Sequence, residues 1–302
     1  MTARAAALSV IIVDWNGGDL LLSCLRSLWE AIEGLSAEVW LVDNASSDGS
    51  AESAARELPT VRLIRNSENL GFARAANQAL AAASGELLLL LNPDVQIDRP
   101  ALARMMATME SDRRIGIAGC PSVDDDGRVA PGYELSYPGK RARPVGSGYG
   151  GVERDVAWVS GACLMARREM LAAIGPLDPG FFMYYEDVDW CYRARAAGWR
   201  VVTRPDVLVA HKLGGSSAQV SSAETEKRVV ASRIRFYRKY HSPGRAQLLA
   251  ARVALSAAPS FAWHLVPALF SGAFRQAFRA DCARIGAAVA GALHTANGSD
   301  TE

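Results

Sequence analysis

Residues 85–95 read GELLLLLNPDV, and five uninterrupted leucines, Leu87 to Leu91, run straight into Asn92, Pro93 and Asp94. A short uncharged run without alternation predicts a strand buried on both faces, as in a sheet covered by helices on each side. Pro93 ends it. Proline has no N–H for a ladder and pushes Asn92 toward an extended conformation, so the chain leaves the sheet where Asn92 and Asp94 appear. A carboxylate therefore stands at the carboxyl end of a strand, the rim where open α/β sheets bind their ligands.

The segments before this strand alternate in type. Residues 8–14 (LSVIIVD) predict a strand, and residues 20–32 carry Leu21, Leu25, Leu28 and Ile32 at helical spacing. Residues 38–43 (EVWLVD) predict a second strand, followed by the polar turn NASSDGS and a helix over 51–57. Residues 61–66 predict a third strand, and an Ala-rich helix over 72–83 is entered through Asn69, Leu70 and Gly71. This repetition predicts an α/β fold with a mostly parallel sheet flanked by helices. Asp14, Asp43 and Asp94 then gather on one rim although they lie far apart in sequence. Helix N-termini point at the same rim, which suits phosphate. Singly, each aspartate also fits a helix cap or turn former; together they read as a ligand rim.

Beyond residue 101 a helix over 102–110 leads to IGIAG, and then to an irregular stretch, 121–151, rich in Gly, Pro and Tyr. Loops of that length inside a compact domain are functional or mobile. VAWVSGACLMARR supplies a further strand and EMLAAIG a short helix; the densest stretch, GFFMYYEDVDWCYRARAAGW, follows. Its acids Glu186, Asp187 and Asp189 open a helix expected over 188–197 and closed by Gly198. Acids in a first turn gain about 0.3–1 kcal/mol from the helix dipole, which is a purely structural use. The neighbouring Phe181, Phe182, Tyr184, Tyr185, Trp190 and Tyr192 add a second use. Aromatic faces suit sugar rings, and such a wall raises a carboxylate's pKa toward the range of a general base.

The chain has 302 residues, half of them hydrophobic, and a formal net charge of +1, enough for one large domain or a domain with an appendage. The apolar run before Asp14 is too short for a signal h-region or a membrane span, so the body reads as cytoplasmic. Five scattered cysteines without a C-x-x-C pair read as reduced structural thiols. Between residues 227 and 291 lysine and arginine recur with Asp281 as the only acid, and residues 253–274 carry no charge. Pro259, Pro267 and His264 weaken a spanning helix there. Two readings of this tail stay open: an interfacial segment on an anionic membrane surface, or a basic helical cap.

In this order, VIIVDWNG, LVDNASSDGS, NLGFARAANQA, LLLLNPDV, VSGACLMARRE and FFMYYEDVDWCYRARAAGW resemble the family 2 glycosyltransferases of the GT-A fold. The resemblance spans about residues 8–217 and is nearest to bacterial rhamnosyltransferases of cell-wall and surface polysaccharides. It implies an inverting transfer from a nucleotide-sugar donor to a glycan or lipid-linked saccharide. The implied donor is dTDP-L-rhamnose first and a UDP-sugar next. Asp43 is implied to hold the nucleotide base, with Asp14, Asn16, Asn69, Gly71 and Asn77 lining the nucleotide. Asn92, Gly161, Ala162, Tyr185 and Trp190 are implied as further substrate contacts. Asp94 occupies the second acid of the family's Asp-x-Asp position, where a divalent cation, Mg²⁺ or Mn²⁺, bridges the donor's diphosphate. His211 lies where some relatives supply another metal ligand, and it equally fits a polar strand end. Asp187, beside Glu186, matches the base that takes the acceptor's proton. Asn92 in place of the first acid removes one anionic ligand. The implied organisation is a transferase domain over 1–226, with a donor half of about 1–115 and an acceptor half of about 116–226, and a basic tail over 227–302. Acceptor contacts are expected from 132–151 and the tail, with the enzyme peripheral at the inner face of the cytoplasmic membrane.

Other classes fit less well. DWNGGDL lacks G-x-G-x-x-G after the first strand, and no G-x-x-x-x-G-K-[ST] exists, which argues against a dinucleotide-dependent oxidoreductase and a P-loop enzyme. A non-catalytic sugar-binding protein would tolerate loss of Asp94 or Asp187, and both are present. Nucleic-acid binding has no support, because the basic tail carries an apolar stretch rather than interleaved stacking aromatics.

Overall fold

The computed structural model describes residues 6–138, 153–212 and 222–252, with residues 279, 282 and 286. Its first hundred residues alternate β1 (Leu8–Asp14), α1 (Gly18–Ile32), β2 (Ala37–Asp43), α2 (Ser50–Glu57), β3 (Arg62–Arg65), α3 (Phe72–Ala82) and β4 (Leu87–Leu91). Then come β5 (Val95–Gln96), α4 (Arg99–Ser111), β6 (Ile115–Gly119), β7 (Ser122–Val123), β8 (Val129–Ala130), β9 (Tyr133–Glu134), β10 (Arg154–Asp155) and β11 (Trp158–Val159). The remaining elements are β12 (Cys163–Arg167), α5 (Arg168–Ile174), α6 (Glu186–Ala196), β13 (Arg200–Thr203), β14 (Val209–His211) and α7 (Ser222–Tyr240).

The main sheet has the order β10-β13-β6-β12-β4-β1-β2-β3. The strands β3, β2, β1 and β4 are mutually parallel, and β6 pairs in parallel with β13. β12 runs antiparallel between β4 and β6, and β10 closes the edge antiparallel to β13. The leucine run explains why β4 sits inside. All its residues are buried, Leu87, Leu89 and Leu91 in the core on one face and Leu88 and Leu90 in the core on the other. Each leucine so buried contributes about 1.5–3 kcal/mol, which only a central strand can collect on both faces. Helix α4 starts under its own cap: Asp98 accepts from the Ala101 N–H, and Pro100 occupies the first turn.

Two local features depart from the sequence-based expectation. The stretch expected as one strand over VAWVSGACLMARR breaks at Ser160–Gly161–Ala162 into β11 and β12. A second sheet, β5-β14-β7-β8, hangs below the end of β4, with His211 opposite Val95.

The chain divides into two compact units, residues 1–180 with 186–216, and residues 181–185 with 217–302. The division expected after residue 226 falls inside α7. A change in composition at Lys227 marks a change in charge within a helix, not the end of one. In the first unit Cys24, Cys120, Cys163 and Cys191 are buried and free. Among the described residues no helix is long and apolar enough to cross a membrane. The apolar stretch 253–274 and most of the expected acceptor loop, residues 139–152, lie outside the described residues.

Candidate active site

The parallel register sets Asp14 directly opposite Asp43 at the carboxyl ends of β1 and β2. Both are buried, and the loop after β2 is built on them. Asp14 Oδ2 accepts from Ser50 Oγ at 2.7 Å and Ser46 Oγ at 3.2 Å, while Asp43 Oδ1 accepts from the Ser46 N–H at 2.8 Å. Asn16, in the left-handed region at φ 54°, donates its N–H to Ser46 Oγ and accepts from the Ser47 N–H at 2.6 Å. Gly17 is required beside them, because a Cβ there would lie 2.1 Å from Asp14 Oδ1. Burial pushes the Asp14 carboxyl up to about 6 against the lowering effect of the two hydroxyls, with Asp48 and Asp43 pushing it further.

The next loop is tied on by amides. Asn44 donates from Nδ2 to Asn69 Oδ1 at 2.9 Å, and its Oδ1 accepts from Asn66 Nδ2 and from the Leu70 N–H. Asn69 Oδ1 also accepts from the Gly71 N–H, and Gly71, at φ 78°, lets the chain turn into α3. Asn69 and Gly71 stand out in the sequence, whereas Asn44, whose network holds them, does not; its polar context in NASSDGS is legible only as a turn.

At the end of β4, Asn92 donates its N–H to the Ala162 carbonyl at 2.9 Å, joining the rim of β4 to the start of β12. Asp94 is buried beside His211, whose Nε2 comes within 3.2 Å of Asp94 Oδ1. That oxygen forms no hydrogen bond, and the Lys212 N–H holds the Asp94 carbonyl at 3.0 Å. The carboxylate oxygen and the imidazole nitrogen stand side by side within ion-pair distance. Their spacing matches neighbouring ligands of one octahedral ion with bonds of about 2.1 Å. Among the described residues no group of three His, Cys, Asp or Glu forms a cage. Two protein donors suffice for a hard cation that takes its remaining ligands from substrate phosphates and water, so these residues fit such an ion.

The break between β11 and β12 brings in the third part. The Gly161 N–H donates to Asp187 Oδ2 at 2.9 Å, and the Val188 N–H donates to Asp187 Oδ1 at 2.8 Å. Burial raises the Asp187 pKa and the two N–H groups oppose that rise, so its charged form has fixed partners. Glu186 is more deeply buried, its Oε2 has no partner, and burial together with the Asp187 charge drives its pKa well above the usual carboxylate range. Both carboxyls are pushed up by burial, Glu186 further because the Asp187 charge adds to it, while the two N–H groups favour the charged form of Asp187. Asp189 is fully buried in an ion pair with Arg193 at 2.8 Å, which removes it from reaction chemistry.

Two expected substrate contacts take other places. Trp190 is a correction: it lies fully buried in the core and donates its indole N–H to the Gly175 carbonyl at 3.0 Å, so no sugar reaches its face. The Asn77 carboxamide is engaged on both sides by the Leu177 backbone, at 2.8 and 3.1 Å, and anchors the chain that leads to α6. Tyr185 lies in the second unit with its ring 6.0 Å from that of Phe236. Tyr184 and Tyr185 both have φ 69°, a conformation costing about 1–2 kcal/mol for a residue with a Cβ.

These features describe an α/β protein with one buried carboxylate gripped by two backbone N–H groups and with an Asp94–His211 pair suited to a cation. The family model for glycosyl transferase family 2 matches residues 9–175, and the chain belongs to that family. It is 31% identical over 248 residues to the N-acetylglucosaminyl-diphospho-decaprenol L-rhamnosyltransferase of Mycobacterium tuberculosis, covering 70% of this chain and 78% of that protein. It is 25% identical over 215 residues to the dTDP-rhamnosyl transferase RfbF of Shigella flexneri, covering 70% of each. Among solved structures, the mannosyltransferase PcManGT from Pyrobaculum calidifontis, in complex with GDP-Man and Mn²⁺, aligns with a TM-score of 0.58 at 20% identity. That alignment covers 96% of this chain and 88% of that one. The chain is thus a glycosyltransferase with the GT-A architecture.

The buried Asp14 generates a stability prediction. Because its folded pKa of about 6 lies above the ordinary 3.8, the folded protein binds the proton more tightly than the unfolded chain between those values. Stability linked to this group therefore falls as pH rises through that window, by about 3 kcal/mol in all. Asp14→Asn keeps an oxygen for Ser46 and Ser50 and removes the titration. Melting profiles at pH 4 to 7 should show the variant gaining on the wild type as pH rises; parallel profiles would contradict the assignment.

Proposed function

We propose that this glycosyltransferase moves L-rhamnose from dTDP-L-rhamnose to a glycan or lipid-linked saccharide, with inversion at the anomeric carbon. The single observation that carries the mechanism is the Asp187 carboxylate gripped by the Gly161 and Val188 N–H groups, which favour its charged form. Asp187 takes the proton from the acceptor hydroxyl as that oxygen attacks the anomeric carbon, and the bond to the diphosphate breaks with its electron pair leaving on the nucleoside diphosphate. One base on the acceptor side is the requirement of a direct displacement, which inverts configuration. The rim of Asp14, Asp43 and the Asn44 network orients the nucleotide, while Asn92 lies next to Asp94 on the same rim. Asp94 and His211 would hold Mg²⁺ or Mn²⁺, which when bound would supply positive charge to stabilise the leaving diphosphate. Support for rhamnose, and for a lipid-linked acceptor, comes from the relatives' names at modest identity.

A lipid-linked acceptor places the enzyme at a membrane face. The basic composition of residues 227–291 and the uncharged stretch 253–274 support peripheral contact with anionic lipid. The full chain should co-sediment with vesicles containing anionic lipid and release as salt rises; equal binding to neutral vesicles, or none to either, contradicts this.

For the chemistry, Asp187→Asn should lower nucleotide release in the presence of acceptor by about 10²–10⁴-fold, the range of a general base. Donor affinity by calorimetry should stay near that of the wild type, since the base faces the acceptor and not the diphosphate. A variant with near-normal turnover would move the proton to another group.

Asp94→Ala should abolish the strengthening of dTDP-rhamnose binding by Mn²⁺ while leaving weak cation-independent binding. Donor binding equally strengthened by Mn²⁺ in wild type and variant would remove Asp94 from the cation site.

A further inference from the structure

The second unit contains an arrangement that sugar transfer by the residues above leaves unexplained. Residues 181–185 separate from the chain around them and belong with α7, although they are distant from it in sequence. Tyr184 and Tyr185 both occupy the left-handed region, at φ 69°, where aromatic residues do not settle unaided. Such a conformation persists only when its surroundings enforce it. One face of α7 supplies contacts to this segment. Buried Ser232 donates its hydroxyl to the Met183 carbonyl at 2.9 Å, immediately before the two tyrosines. One turn further along, the fully buried Phe236 ring stands 6.0 Å from the Tyr185 ring. On the same face Arg228 lies over the Phe182 ring at 4.9 Å and Arg235 over the Phe181 ring at 5.3 Å. Positions 228, 232, 235 and 236 repeat at helical spacing, so a single face contacts Phe181, Phe182, Met183 and Tyr185.

The exit from this segment is what gives the grip a use. Tyr185 is joined directly to Glu186, the first residue of α6, and only Glu186 separates it from Asp187. Two consecutive left-handed residues therefore stand immediately before the helix that carries Asp187.

We propose that Ser232 and Phe236 of α7 are positioning residues for Asp187, acting through the left-handed turn at Tyr184 and Tyr185. The proposal rests on the reading of Asp187 as the proton acceptor. It adds that α7, which like α6 lies beyond the matched family segment, supplies positioning residues for the reaction. An ordinary structural role for these residues would lower overall stability without selecting turnover over donor binding.

The test uses the full chain and the variants Ser232→Ala, Ser232→Thr and Phe236→Leu, with two independent readouts. Hydrogen exchange of the amides of residues 183–187, without substrate, reports the turn. Turnover and dTDP-rhamnose affinity report its consequence. In Ser232→Ala and Phe236→Leu, exchange should rise and turnover should fall by about tenfold, on the scale of a small misplacement of a reacting group, with donor affinity kept within about twofold. Ser232→Thr, which retains the hydroxyl, should restore both. Unchanged exchange in Ser232→Ala and Phe236→Leu overturns the proposal, as does raised exchange with unchanged turnover, or a loss of donor affinity as large as the loss of turnover. If the wild type releases no nucleotide from any sugar donor, the functional reading fails by itself, and the exchange data alone decide whether α7 holds the turn.

Discussion

A buried carboxylate is stabilised in its charged form where fixed N–H groups face it, and the Gly161–Asp187 hydrogen bond is such a contact. Much of the architecture follows from putting it in place. The bond exists because the chain breaks between β11 and β12, and the break exists because β12 enters the sheet antiparallel beside β4. Its start then falls on the same rim as the end of the leucine strand, where the Ala162 carbonyl receives the Asn92 N–H. One insertion thus joins the strand that carries Asp94 to the helix that carries Asp187.

Electrostatics divides labour among the acids. Glu186 and Asp187 are adjacent, and one differs from the other mainly in having no N–H partner for its buried oxygen. Burial raises both pKa values, that of Glu186 well above the usual range and that of Asp187 against the opposing pull of its N–H partners. Asp189 is paired instead with Arg193, whose guanidinium also reaches the Ile174 and Pro176 carbonyls and so ties α6 to the preceding turn. Asp14 shows a fourth solution. It stays in the core with two serine hydroxyls, where it orders the loop behind the rim while its pKa is raised.

What was legible in the sequence was what depends on period and punctuation. The leucine run and Pro93 marked the central strand and the position of Asp94, and the alternation of strands and helices marked the parallel sheet. The convergence of Asp14 with Asp43 followed from that sheet. Contacts that depend on distant backbone were not legible. Nothing in VAWVSGACLMARR marks the break at Gly161, because the N–H it frees finds its partner 26 residues later. Trp190 looked like a sugar platform because aromatic crowding in sequence does not say which face of a helix a ring occupies; at its position in α6 it points into the core. Asn44 was hidden for the opposite reason, since an asparagine after a strand reads as a turn whether or not its amide holds a second loop.

The chemistry proposed for this enzyme stands or falls on a direct displacement at the anomeric carbon with Asp187 as the only base. The decisive measurement is proton NMR of the product formed from a donor of known anomeric configuration, read early enough that no mutarotation or secondary transfer intervenes. Inversion at the transferred carbon is the predicted result. Retention of the donor's configuration would require a second displacement or a front-face departure, and would contradict the role of Asp187 as the base of a single displacement.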